Sequence, residues 1–332
     1  MMPFLVFVLL FSATTQAQNE GQYTHFMFNR LSYDPAFAGS SGNISATLLY
    51  RNQWMGLTLQ PSTPGGEAGS TPTNILFSFD MPVSWLHGGI GLTFTSDKYG
   101  FHNNNTVAVD YAFRIFWGPG TLAAGVEADL QSYSFETSSL VGSSGLSGQP
   151  GGGTSGNDPL ISSGDNNSDF LVDVSTGLYY QVPSLYYVGL SVKNLLGSHS
   201  ETLNLTNNRT VYMMGGYEYS FPYNPSFKLK PSALLKTANF SVFQLDVACL
   251  LDYENTFWGG LSYRIGDAIN FMAGVHFLQM FRVGVAYDLT TSKLGFGNGR
   301  SFGSVEIFAN GYFQINVHKK PPTVSGNTLY LR

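Results

Sequence analysis

This chain is poor in charge, almost without cysteine and free of long apolar runs, and each shortage removes a class of protein. Charged residues are only 11% of the 332, Cys249 is the one cysteine, and no Lys/Arg run exceeds two residues. A soluble surface normally carries about a quarter charged residues, so an ordinary soluble domain fits poorly. One cysteine excludes an internal disulfide and any multi-cysteine metal site, which leaves Cys249 as a small lipid-facing or packed apolar residue. A formal net charge of −5 with no basic cluster gives no reason to expect nucleic acid as a partner. Nor does any apolar run approach the roughly 20 residues that a spanning helix needs.

What is present resolves the conflict. Aromatics reach 15%, with 26 Phe, 19 Tyr and 38 Gly, and the mean hydropathy is zero. Transmembrane β-strands need only about 9–11 residues each and alternate lipid-facing apolar with lumen-facing small or polar side chains, which averages to neutral hydropathy. The expected fold is therefore all-β: a transmembrane antiparallel β-barrel of about 14 strands, with short periplasmic turns and longer extracellular loops.

From residue 42 onward the chain divides into segments of 9 to 16 residues with period-two alternation, separated by turn residues. The predicted strands are 42–53, 72–82, 86–97, 104–116, 119–134, 169–181, 185–194, 209–220, 226–236, 241–252, 255–265, 269–277, 280–289 and 303–317. In the fifth, Leu122, Ala124, Val126, Ala128 and Leu130 share one face, while Gly125, Glu127, Asp129 and Gln131 share the other. In the fourth, Val107, Val109, Tyr111, Phe113 and Ile115 oppose Asp110 and Arg114; in the thirteenth, Val283, Val285 and Tyr287 oppose Arg282, Gly284 and Asp288. An Arg facing the bilayer midplane costs roughly 2–4 kcal/mol, so the polar faces must look inward.

The connections separate a barrel from a soluble sandwich. Every second gap (83–85, 117–118, 182–184, 221–225, 253–254, 278–279) is five residues or fewer, whereas the others include 54–71, 135–168, 195–208 and 290–302. Tight turns at one end and long loops at the other are the outer-membrane asymmetry, and an even strand count then puts both termini in the periplasm. Aromatics near strand ends (Trp54, Trp85, Phe116, Trp117, Tyr186, Tyr187, Phe221, Tyr223, Phe257 and Trp258) are expected to form two interfacial girdles. The Gly/Ser-rich loop 135–168 reads as a solvated surface loop. Asp165, Asp169 and Asp173 lack the glycine and terminal Glu of a calcium loop.

At the N-terminus, an apolar stretch from Phe4 to Phe11 leads to Thr15-Gln16-Ala17, an acceptable small-residue cleavage site, so residues 1–17 are expected to be a signal peptide. Residues 18–41 form a periplasmic or lumenal segment that ends in Asp34-Pro35 and carries Phe26, Met27, Phe28 and Phe37 in need of burial, either inside the barrel mouth or in the first strand pairing. The barrel spans 42–317 and a C-terminal periplasmic tail 318–332.

The segment 22–39, with Asn29, Pro35 and Gly39, resembles the opening of the PorP/SprF family of outer-membrane proteins tied to type IX secretion and gliding motility. Arg51-Asn52-Gln53-Trp54-Met55-Gly56 looks like that family's second signature, and Phe79-Asp80-Met81-Pro82, Tyr187 to Leu196, Gly284 to Leu289 and Gly303-Ser304-Val305-Glu306 fit later blocks in order. Arg30 and Tyr33 depart from it, standing where the family usually shows more apolar or proline-like residues, as does the tail from Lys319 to Arg332. The resemblance implies a component that helps to export or anchor a secreted partner at the surface, in contact with outer-membrane lipid and periplasmic secretion-machinery proteins.

Parity places Asp110, Arg114, Glu127, Asp129, Asp173, Lys193, Arg264, Arg282 and Asp288 in the lumen, together with Lys228, Lys230, Lys236 and Asp246; Arg51, near the far end of strand one, is set to pair with an inward acid. Mixed charge of this kind suits a cross-linked, narrow or occluded lumen, although a passive channel or small-molecule transporter is the alternative. Catalysis finds no support: His25, His87, His102, His199, His276 and His318 lack metal-ligand spacing, no nucleophile motif appears, and neither metal nor cofactor is expected. Only His276 has a plausible lumen position, with Asp288 or Ser262 as neighbours, and a buried, hydrogen-bonded histidine is its simplest reading.

Overall fold

The computed structural model describes residues 21–56, 70–100, 102–135, 167–203, 205–278, 280–292 and 301–313. The proposed signal peptide, most of loop 135–168, Asp165, His318 and the C-terminal tail lie outside them. Fourteen antiparallel strands form the wall: β1 (Ile44–Asn52), β2 (Ser70–Val83), β3 (Gly88–Gly100), β4 (His102–Trp117), β5 (Gly120–Phe135), β6 (Asn167–Val182), β7 (Tyr186–Lys193), β8 (Thr210–Tyr217, prolonged by Tyr219–Phe221), β9 (Asn224–Ala238), β10 (Val242–Tyr253), β11 (Phe257–Arg264), β12 (Ala268–Phe277), β13 (Phe281–Thr290) and β14 (Ser304–Phe313). Each pairs with its sequence neighbours, and β1 pairs with β14 from Ile44 opposite Phe313 to Asn52 opposite Val305, closing the ring. Closure leaves no strand edge to face lipid, where an unpaired backbone group costs several kcal/mol.

Alternation sets which side each residue takes. Along β5 the side chains of Gly125, Glu127, Asp129 and Gln131 are buried, while Ala124, Val126, Ala128 and Leu130 are exposed. The same rhythm exposes Leu48 and Tyr50 on β1 but buries Ser45, Thr47, Leu49 and Arg51. An outward band of Leu, Val, Ile and Phe results, with Cys249 on it. Trp85, Phe116, Trp117, Tyr223 and Phe257 stand exposed near the strand ends at the tight-turn rim. β4, β5 and β6 each run 16 residues, more than the outward apolar band of about 25 Å requires, so their far ends carry the wall beyond the bilayer on the long-loop side.

The even strand count puts Ile44 and Phe313 at the tight-turn end. The segment ahead of β1, however, crosses the lumen. Gln22 donates through Nε2 to Gln244 Oε1 (2.7 Å) near the start of β10, at the long-loop end, whereas Gly39 abuts Met81 and Pro82 at the tight-turn end. Of the described residues, Gly21 and Phe313 therefore lie at opposite ends of the barrel. The physical reason is that strand parity counts only crossings of the wall and is blind to a crossing made inside it.

Candidate functional site

The lumen is filled by residues 22–39. Two short 3-10 turns, Phe26–Phe28 and Pro35–Phe37, give this segment its shape. Asp34 starts the second by accepting the Ala36 N–H on Oδ1 (2.9 Å), and Pro35 follows it, a residue suited to a first turn because its missing N–H would have no partner there. Gly39 ends the segment at φ +66°, with its α-carbon so close to the Met81 carbonyl that a Cβ would lie 2.6 Å from the oxygen. Phe26, Met27, Leu31, Tyr33, Ala36 and Ala38 are all buried. Phe26 to Phe28 thus pack inside the barrel rather than joining the strand ladder.

An ion-pair cluster clamps the plug near the long-loop end. The Arg51 guanidinium reaches Asp288 at 2.6 Å and Glu306 at 3.1 Å. Glu306 also accepts the backbone N–H groups of Thr24 (2.7 Å) and His25 (2.8 Å), and meets His25 Nδ1 at 2.7 Å, while the Thr24 hydroxyl donates to Asp288. Arg264, beside Asp246 at 3.0 Å and Asp288 at 3.8 Å, extends the network. Charges with no access to water are tolerable only when paired and hydrogen-bonded, and this cluster supplies both.

Below it lies an aromatic stack. The Phe28 ring stacks on Phe308 (centroids 4.9 Å, 7° between planes) and meets Trp258 edge-on at 5.0 Å, with His25 4.6 Å from Phe308. Trp258 is therefore no girdle residue, contrary to expectation. It shares parity with Ser262 and Arg264 on β11 and must point inward. Tyr187 likewise faces the lumen, under the Arg30 guanidinium at 3.9 Å.

Further strands grip the rest of the plug. Lys193 donates to the Ser32 carbonyl (2.9 Å) and pairs with Glu127 (3.1 Å), Ser191 donates to the Tyr33 carbonyl, and Arg114 donates to the carbonyls of Ala38 and Gly39. Asp110 is buried opposite Glu127 in the β4–β5 ladder, and Asp129 accepts from Gln131. Ala36 packs on Gly125 so closely that a Cβ there would lie 2.3 Å from its nitrogen.

The remaining sequence-selected residues do other work. Asp173 accepts the N–H groups of Val174, Leu196 and Ser198, pinning a loop rather than an ion; Asp169 accepts from Ser200. Arg282 lies over the Phe28 ring and donates to the Tyr312 hydroxyl. Asn29 is buried and donates to Ser32 (2.8 Å). In the second signature, Asn52 accepts from the Thr71 hydroxyl, the Gln53 N–H donates to the Pro72 carbonyl, the Trp54 N–H donates to the Ser304 hydroxyl, and Gly56 follows at φ +76°. His276 meets Asp252 at 3.5 Å, not Asp288 or Ser262, because it lies at the tight-turn end of β12 and those two lie toward the other end. Sequence reasoning missed His25, Asp34, Asp80 and Glu306 as lumen residues. Glu306 and Asp80 were within reach, since Glu306 opposes Val305 and Ile307 in β14 and Asp80 shares the face of Leu76 and Ser78 in β2; His25 and Asp34 belong to the plug and follow no strand parity.

The fold and its occupied lumen define an outer-membrane β-barrel that holds its own N-terminal segment inside the ring. Its family follows from the sequence: the model of the type IX secretion system membrane protein PorP/SprF family matches residues 15–310, and the chain belongs to that family. Solved structures similar to it include the Acinetobacter baumannii outer membrane protein Omp33 (7% identity; 82% of this chain and 99% of that chain; TM-score 0.45). Others are a TodX mutant described as a monoaromatic hydrocarbon channel (11%; 86% and 94%; 0.49) and the Ralstonia pickettii toluene transporter TbuX (10%; 85% and 91%; 0.43). No curated protein matches the chain.

Proposed function

We propose that this barrel serves type IX secretion as a closed, non-catalytic scaffold that helps to export a partner or anchor it at the cell surface, rather than as a passive channel. The observation that supports this most directly is the plug: segment 22–39 occupies the lumen and is tied to strands on opposite sides of the ring, through Arg51, Glu306 and Asp288 on one side and Lys193, Ser191 and Arg114 on the other. A diffusion pore has no use for a lumen so filled. The long-loop end faces outward in this reading and the tight turns face the periplasm, where secretion-machinery proteins would dock. Deleting the gene should impair secretion, surface display or gliding; if all three stay intact, the reading fails. Purified protein in a planar bilayer should be electrically silent, whereas steady ion-selective current would favour the transporter.

A further inference from the structure

Arginines at the two ends of the lumen are treated differently. Arg51 and Arg264, at the long-loop end, each touch two or more carboxylates. At the tight-turn end, Arg30 and Arg282 line one cavity of about 140 Å³ between plug and wall, and among the described residues neither has a carboxylate within 4.0 Å. Arg30 spends Nε on the Met27 carbonyl (2.9 Å) and Nη1 on the Tyr179 hydroxyl (2.9 Å). Among the described residues Arg282 makes one hydrogen bond, to the Tyr312 hydroxyl at 3.3 Å, and its Nε is buried with no partner.

Ser41, Ser45, Gln181 and Tyr312 also line the cavity; Ser41 donates to the Asn43 carbonyl and Gln181 to the Ser40 carbonyl, and the one acid among the described lining residues, Asp80, is engaged by the Gly39 N–H at 2.8 Å. Two guanidinium groups held in place by aromatic rings, with a buried N–H left over, thus have no negatively charged acceptor in contact among the described residues. Guanidinium forks match planar or tetrahedral oxyanions through paired N–H donors, and partial desolvation strengthens the contact.

We propose that this cavity is an oxyanion site, taking a carboxylate or phosphate group that enters from the tight-turn mouth of the barrel. The proposal is independent of the secretion role. Calorimetric titration of the detergent-purified full chain, at fixed ionic strength in chloride, tests it with three probes: sodium phosphate, sodium acetate, and a short peptide with a free C-terminal carboxylate beside its C-terminal amide. Saturable binding of phosphate or acetate makes a free small anion sufficient. Binding of the peptide acid but not of its amide or the small ions makes a chain-borne carboxylate the ligand. In either case Arg282→Gln and Arg30→Gln should each weaken binding at least tenfold, and Arg282→Lys, which keeps charge but loses the fork, should fall between. Lys228→Gln, a change to a lysine paired with Glu218 elsewhere on the same rim, should leave it unchanged. Absence of binding by all three probes, or equal binding by wild type and the Arg282 variants, overturns the proposal.

Discussion

The Arg51 guanidinium and the Asp288 carboxylate meet at 2.6 Å with both side chains almost wholly buried, and the same arginine holds Glu306, which in turn holds the backbone of Thr24 and His25. One arginine on β1 thus joins strands β13 and β14 to the plug. Because the alternation that buries Arg51 also buries its two acids, the clamp follows from strand register: Arg51 stands directly opposite Glu306 in the β1–β14 ladder.

Replacing Arg51 by Gln leaves two buried carboxylates short of their cation. Removing one partner of a buried ion pair costs about 3–5 kcal/mol, chiefly through the charge left behind. Arg51→Gln should therefore lower the unfolding midpoint in detergent sharply, while Thr24→Ala, which loses hydroxyl contacts to Asp288, should cost about 1 kcal/mol. Equal midpoints for wild type and Arg51→Gln would contradict the clamp.

Gly125 tests the plug's seating separately from its charges. A Val at 125 places Cβ where the Ala36 backbone now lies, and backbone cannot swing aside as a flexible side chain can. Expected is a barrel that still forms but conducts in planar bilayers because its plug is displaced. At Gly215 a Cβ would meet nothing nearer than 3.6 Å, so Gly215→Ala should remain silent.

Most of the wall was legible in sequence because a barrel strand obeys one rule, period two. All fourteen predicted spans overlap strands of the ring, and the charged residues Asp110, Glu127, Asp129 and Arg264 lie on the buried face that alternation gives them. Trp258 shows where a weaker cue displaced a stronger one: its place near a strand end suggested a girdle, yet parity with Arg264 already pointed it inward. The plug was legible only as a segment that needed burial. Its contacts join residues more than 250 positions apart, such as Thr24 with Glu306, and no local pattern encodes them.

The inward crossing of the plug makes a topological prediction. In a Cys249→Ala background, which removes the exposed native thiol, Gln22→Cys lies at the long-loop mouth and Asn43→Cys at the tight-turn end. With the long loops outward, a membrane-impermeant maleimide on intact cells should label position 22 and spare position 43. Labelling of 43 alone would invert the proposed orientation.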